Sequence, residues 1–338
     1  MKAALLEKPR HLRVVDEPLR TLEPGELLLR VDACGVCGTD VHIVDGTSRS
    51  RPPVILGHEY AGTVEDAGPG CSRGSIGAMV AVDPNISCGR CSYCRRGLVH
   101  LCAHLRALGV DRDGGMAQYS IVPESQVYPL PRGFPAQAAA FIEPVSCAVH
   151  GIDRSGIRVG DTAVILGSGT IGLIMLQLAL AAGAAAVIAV EPLERKRALA
   201  ASLGAACVID PAAADPKSVV FDLTGVGADV VIECAGTPET ARLALALARR
   251  GGTVEFFGVC AVGATFPIEP NAVYERELTI VGSYVNPHTF DRSIAVLNSG
   301  RVKVDAFQIN TFSLDEVHEA LRFQREGLTI KSIITPNI

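Results

Sequence analysis

Between residues 160 and 285 the chain repeats one pattern: a short apolar run, a helical stretch, another apolar run. The runs are TAVILG (162–167), AVIAVE (186–191), CVID (207–210), DVVIECAG (229–236), TVEFFGV (253–259) and LTIVGSY (278–284). Between them lie TIGLIMLQLALAAG (170–183), PLERKRALAASLG (192–204), which stops on glycine, and TPETARLALALARRGG (237–252). A strand that is apolar along its whole length needs cover on both faces, and helices returning between strands provide it. The pattern predicts an α/β unit with a doubly wound, six-stranded parallel sheet.

The first turn of that unit carries a phosphate-binding signature. VILGSGTIG (164–172) sets Gly167, Gly169 and Gly172 in G-x-G-x-x-G spacing, after a strand and before a helix. Gly167 permits the tight turn, Gly169 lets the backbone approach a pyrophosphate, and Gly172 lets the helix lie close to the strand. Thr170 and Ile171 open the helix, whose first N–H groups and positive dipole end face the phosphates. Glu191 ends the second strand, nineteen residues after Gly172. A carboxylate there accepts hydrogen bonds from ribose hydroxyls and repels a 2′-phosphate, so NAD is expected over NADP. Arg195, Lys196 and Arg197 follow, either as a solvated helix face with one member, Lys196, near the ribose, or as a 2′-phosphate clamp. Val259 and Ser283, at the ends of the last two apolar runs, are further cofactor-contact candidates.

Four of the eleven cysteines fall within CGRCSYCRRGLVHLC (88–102). The opening MKAALLEKPRHLRVVDEP does not read as a signal peptide, since its apolar run is only four residues long. A cytoplasmic protein is expected, and that compartment keeps thiols reduced. Cys88, Cys91, Cys94 and Cys102 therefore read as a metal site, C-x2-C-x2-C-x7-C, suited to a closed tetrahedral structural zinc. An unmetallated cluster and an iron–sulfur cluster draw on the same residues.

Residues 1–145 lack the long period. GELLLRVDACG, EYAGTVEDAG, AMVAVD and AQYSIVP are short strands broken by Gly, Pro and Asp, which suggests a β-rich domain with long loops. Near the end, SLDEVHEALRFQREG (313–327) reads as a helix and KSIITP (331–336) as a strand, returning to the first domain. The run 171–190 is apolar enough to raise a membrane span, but Gly183 divides it into a buried helix and a buried strand. A net charge of −5 without a basic run argues against a nucleic-acid partner.

Three stretches offer a second metal set: CGVCGTDVH (34–42), GHEYAG (57–62) and FIEPVSCAVHG (141–151). Spacing alone does not join them across a hundred residues. His58 alone could be a satisfied core histidine, and Glu143 an acid at a helix start. Taken in order with the four-cysteine loop and the glycine turn, they resemble the zinc-dependent medium-chain dehydrogenase/reductase family, end to end. CGTDVH, Glu59 and FIEP with Glu143 resemble its polyol (sorbitol-type) and threonine dehydrogenase branch.

That resemblance implies a GroES-like β-rich catalytic domain over residues 1–145, completed by 286–338, and a Rossmann domain over 146–285. It implies two zinc ions per subunit. Cys37 and His58 would ligate the catalytic one, with Glu59 and Glu143 as the carboxylates, one bound directly and the other through water. Asp40 would orient the ligand histidine. Cys34 reads as a small buried residue and Cys147 as packing near the nicotinamide. Zinc would acidify the substrate hydroxyl, Thr39 would take its proton by hydrogen bond, and His42 would relay it to solvent through the cofactor ribose. The implied substrate is a polyol or cyclitol. L-Threonine, a simple secondary alcohol or butanediol are the alternatives, and a non-catalytic NAD-binding protein is a remote one. The resemblance also implies a homo-oligomer, a dimer formed near LTIVGSY or a tetramer, since bacterial members often pair such dimers. GAMV (77–80) departs from the family's usual GDRV at a surface strand entry.

Overall fold

The computed structural model describes residues 1–72 and 76–337. The chain divides into two compact units. One comprises Met1–Pro144, Asn286–Asn298 and Val304–Ile338, and the other Val145–Val285 with Ser299–Lys303.

The second unit holds one six-stranded sheet in the order Cys207–Ile209, Ala186–Val190, Thr162–Leu166, Ala228–Glu233, Ala248–Phe256 and Thr279–Gly282. Every neighbouring pair is parallel. By position in the chain this is 3-2-1-4-5-6, the doubly wound dinucleotide-binding order. Val164, Val231 and Val254 are fully buried, as strands covered on both faces require. The long apolar run becomes the helix Thr170–Ala182, ended by Gly183 in the left-handed region, and the strand Ala186–Val190. Among the described residues no helix is long and apolar enough to cross a membrane.

Two local readings differ from expectation. The helix expected over 237–252 stops at Leu247, and residues from Ala248 join the sheet. Ala248 pairs with Ala228, and Arg249 Nε donates to Asp229 Oδ1 at 2.6 Å, so tertiary pairing overrides the helix propensity of the ALALARR stretch. The helix Pro216–Thr224 lies between the runs CVID and DVVIECAG, where the sequence reading names no element. Its start is specified locally: Asp215 accepts from the N–H groups of Lys217 and Ser218, and Pro216 occupies the first turn.

The first unit is built on a seven-stranded sheet. Its path runs Val127–Pro129, Met79–Val82, Glu59–Ala67, Glu26–Gly35, Lys331–Ile334 and Ile309–Phe312, with Tyr119–Pro123 also pairing Glu26–Gly35. The C-terminal strand thus lies antiparallel against Glu26–Gly35, with Ile334 opposite Cys34. Lys2–Lys8 and His11–Asp16 form an antiparallel pair that the sequence reading did not separate out. Inward residues Leu27, Leu29, Val31, Leu56 and Val80 are fully buried.

Candidate metal and cofactor sites

The strand Glu26–Gly35 runs into the helix Gly38–Asp45, and Cys37 stands at the helix N-cap in extended conformation. Asp40, fully buried, accepts the Cys37 N–H through Oδ2 at 2.8 Å. Its other oxygen, Oδ1, lies 3.3 Å from His58 Nδ1. His58 arrives from the neighbouring strand pair. Gly57 precedes it with φ +94°, a conformation that favours glycine, and a side chain there would meet Cys34 Sγ and Met116. Cys34 is fully buried. The ligand atoms of Cys37, His58 and Glu59 all lie within 4.8 Å of one another.

A thiol, an imidazole and a carboxylate at that separation suit zinc with a position left open. Charge points the same way. Burial opposes a charged His58 ring, yet Asp40 and Cys37 outweigh it and raise the ring's proton affinity well above its ordinary value. A divalent cation answers the same surplus of negative charge. Glu143 is buried in the first turn of the helix Ile142–Ser155. Thr39 and His42 lie three residues apart on the helix Gly38–Asp45, so they share a face. His42 is exposed, with Nδ1 3.3 Å from Thr47 Oγ1.

Sequence reasoning missed Lys331. Its ammonium donates to Glu59 Oε2, and both side chains are 2% exposed. Burial works against a charged lysine, but Glu59 and then Cys37 more than restore its charge and raise its pKa. The two chains meet across Gly35. A Cβ there would stand 2.5 Å from Glu59 Oε2 and 2.8 Å from Lys331 Cε, so glycine makes room for the ion pair. One signal was available: a lysine opening the otherwise apolar run KSIIT, where an exposed strand start would be ordinary.

The second cluster is local. Cys91 Sγ lies 3.5 Å from Cys94 Sγ and 3.9 Å from Cys102 Sγ. Thiolates on a tetrahedral zinc at ~2.3 Å sit ~3.8 Å apart, so the spacing fits. Backbone N–H groups of Cys88 and His104 donate to Cys102 Sγ at 3.3 Å each. Those of Cys94 and Ala103 pull the Cys91 thiol down to about 6. Backbone donors aimed at sulfur stabilise thiolates, which are the metal-binding form. No disulfide is formed by the eleven cysteines.

In the second unit Gly167 takes φ +92° after the strand Thr162–Leu166. A Cβ on Gly172 would fall on the Gly167 carbonyl, while nothing lies within 4 Å of one on Gly169. The helix Thr170–Ala182 has no side-chain cap on its N-terminus. This is the geometry a pyrophosphate needs: open space beside a helix start that carries no side-chain cap. Glu191 is 5% exposed and accepts from Ser168 N–H at 2.8 Å and Leu193 N–H at 2.9 Å, which fixes its carboxylate against the glycine turn. Arg197 is committed elsewhere: it donates to the carbonyls of Glu191 and Pro192 and pairs with Asp210 at 2.9 Å. Lys196 is partly buried, Val259 is exposed, and the Ser283 hydroxyl is buried with no hydrogen-bond partner among the described residues.

With these sites in place, comparison with known proteins is informative. Residues 23–132 match the alcohol dehydrogenase GroES-like domain, and residues 170–299 match the zinc-binding dehydrogenase domain. The chain is 32% identical to D-arabinitol dehydrogenase 1 of Uromyces fabae, across 100% of this chain and 97% of the relative. It is 33% identical to the L-threonine 3-dehydrogenase of Thermococcus kodakarensis, across 100% and 98%. The structure of a zinc-binding dehydrogenase from Sinorhizobium meliloti bound to NADP superposes with a TM-score of 0.95 at 41% identity, covering 99% of each chain. The chain belongs to the zinc-containing medium-chain alcohol dehydrogenase family. It is an NAD(P)-dependent oxidoreductase acting on CH–OH groups, with a GroES-like domain and a Rossmann sheet.

Proposed function

We propose that the protein oxidises a secondary hydroxyl of a polyol or cyclitol to the ketone, reversibly, with NAD as acceptor. The observation that carries this reading is the Cys37–His58–Glu59 group, braced by Asp40 on one side and Lys331 on the other. When bound, the metal supplies Lewis acidity toward a hydroxyl and the nicotinamide supplies the hydride acceptor.

The protein's residues do the rest. Cys37 and His58 would hold the metal, with Glu59 the carboxylate at ligand distance and Glu143 the candidate for the remaining contact. Asp40 faces His58 Nδ1, which would leave Nε2 for the metal. Thr39 accepts the substrate's hydroxyl proton by hydrogen bond, and His42, exposed on the same helix face, passes it to solvent. Gly167, Gly169, Thr170, Ile171 and Gly172 cradle the pyrophosphate. Glu191 favours NAD, and the committed Arg197 supports that preference, although the Sinorhizobium relative holds NADP. The arabinitol relative supports a polyol, and the threonine relative keeps L-threonine as a second reading.

We further propose a homo-oligomer, dimeric or tetrameric. Strand Thr279–Gly282 closes one end of its sheet, and Tyr274 and Tyr284 beside it are 80% and 54% exposed. Sedimentation of the purified protein tests this, and a monomer refutes it.

The reaction is tested by NADH formation on zinc-replete protein with sugar alcohols, cyclitols, L-threonine, 2,3-butanediol and simple alcohols, each with NAD and NADP. Turnover of a polyol with NAD sustains the reading, and turnover of threonine alone replaces the substrate while keeping the mechanism. Cys37→Ser should abolish turnover and leave NAD binding nearly intact. Loss of both, or of neither, refutes the assigned roles. Zinc content of Glu59→Gln against Glu143→Gln identifies the direct carboxylate ligand.

A further inference from the structure

The loop after the helix Gly38–Asp45 carries two arginines that this mechanism leaves unused. Arg49 Nη2 donates to Asp111 Oδ2 at 2.7 Å, and Arg51 Nε stands 3.4 Å from Asp111 Oδ1. The Asp111 side chain is fully buried, whereas those of Arg49 and Arg51 are 59% and 57% exposed. Asp111 Oδ2 also accepts the Ala107 N–H at 3.0 Å. One arginine is enough to neutralise one carboxylate. Two leave the cluster with a net positive charge and guanidinium donors facing solvent.

The backbone ties this cluster to the metal group. Thr47 and Ser48 N–H donate to the His42 carbonyl at 2.9 and 3.2 Å, so Arg49 begins one residue beyond the turn that holds His42. Arg51 N–H donates to the Val110 carbonyl at 2.9 Å, which binds the arginine loop to the Asp111 loop. The Asp111 loop in turn rests on the residue before His58: Gly115 N–H donates to the Gly57 carbonyl at 2.8 Å, and a Cβ on Gly109 would fall on that same carbonyl. Of the nearby acids, Asp45 pairs with Arg325 at 2.6 Å, whereas Asp113 accepts only a neutral donor, the Ile55 N–H, at 2.9 Å.

We propose that Arg49 and Arg51 recognise an oxyanion on the substrate. The alcohol oxidised then carries a carboxylate or a phosphate monoester in addition to its hydroxyls. The planar guanidinium fork matches either group with paired charge-assisted hydrogen bonds, which the hydroxyls of a neutral polyol do not supply. The inference rests on the dehydrogenase reading and narrows its substrate class. The oxyanion is a handle only: the hydroxyl carbon still loses hydride to the nicotinamide, and the hydroxyl proton still goes to solvent.

The test compares D-sorbitol, D-gluconate, D-sorbitol 6-phosphate and L-threonine on zinc-loaded enzyme, for the natural protein, Arg49→Gln and Arg51→Gln. At least one anionic compound should exceed sorbitol in kcat/KM by about tenfold or more. The gluconate and phosphate arms tell a carboxylate from a phosphate. Arg49→Gln should raise KM for the preferred anion about 10- to 100-fold with kcat nearly constant, and leave the KM of sorbitol unchanged. Because Arg49→Gln strips a partner from a buried carboxylate, Arg49→Gln/Asp111→Asn is made as well, and it should show the same selective loss. Sorbitol matching every anion, or variants that raise all KM values alike, overturns the proposal. If nothing is oxidised, the reaction reading falls and calorimetry on the enzyme–NADH complex judges the arginines. Gluconate or phosphate-ester binding that Arg49→Gln abolishes sustains the assignment, and no anion binding overturns it.

Discussion

Glu59 in the first unit and Glu255 in the second are strand residues with almost no solvent contact, 2% and 0% exposed. Glu59 meets a buried lysine, and its charge is held beside a thiol and an imidazole. Neither oxygen of Glu255 has a hydrogen-bond partner among the described residues. Burial pushes the Glu255 carboxyl up to about 8, with Arg154 pulling the other way. A buried carboxylate must be neutralised by something. Where a metal ligand is needed the fold supplies a counter-ion, and where none is needed a proton serves. The contrast separates a functional buried acid from one that the sheet merely carries.

The largest effect comes from breaking the first arrangement. Lys331→Met leaves Glu59 buried without its counter-ion, and removal of one partner from a buried pair costs about 3–5 kcal/mol. The variant should unfold at markedly lower denaturant, retain the four-cysteine metal, and lose the Cys37–His58 metal with essentially all turnover. Metal analysis beside denaturant titration checks this. Retention of both metals would show that Glu59 needs no counter-ion.

Lys331 also marks where sequence reading stops. The four lobe cysteines lie within fifteen residues, so their chemistry is written in local spacing. The parallel strands were legible because burial on both faces makes them continuously apolar. Glu59 and Lys331 are 272 residues apart, and no period or spacing joins them. Resemblance alone joined Cys37, His58 and Glu59, because their convergence depends on strand register: Gly35 opposite Glu59, and Ile333 opposite Gly35. The strand Lys2–Lys8 was invisible for a related reason. AALLEK favours a helix by propensity, and it becomes a strand through its pairing with His11–Asp16 and Val54–Ile55.

The next effect sharpens the other side of the comparison. The Glu255 carboxyl binds its proton more tightly folded, near 8, than at its ordinary value of 4.5. Its contribution to stability is therefore complete below about pH 4.5 and is lost as pH rises through 8. The slope is at most about 1.4 kcal/mol per pH unit, and the whole loss about 5 kcal/mol. Glu255→Gln should remove that slope. The variant should match the natural protein near pH 4, exceed it at pH 8, and run parallel to it above pH 9. Denaturant midpoints across that range measure the difference, and equal slopes would mean the carboxyl has a partner or solvent access.

Asp83 lies between the two cases and gives the smallest effect. Among the described residues no ion pair answers it, although the charge of His288 also pulls its carboxyl down. Its Oδ1 accepts from the Asn85 N–H at 3.0 Å and from Asn286 Nδ2 at 3.2 Å, both neutral donors. Burial raises its carboxyl to about 6, and these donors pull it back. Amides thus do part of what Lys331 does for Glu59, while Glu255 has only the pull of Arg154 and, among the described residues, no hydrogen bond. The sign matches that of Glu255 over a shorter span: stability is complete below about pH 3.8 and is lost as pH rises through 6. In Asp83→Asn the side-chain oxygen still accepts both hydrogen bonds, so the variant should equal the natural protein near pH 4. Above pH 6.5 it should be more stable by about 3 kcal/mol, with no further change up to pH 8. A variant that is weaker at every pH would mean that Asp83 is stabilised as an anion, and would place it with Glu59 among the acids whose charge the fold supports.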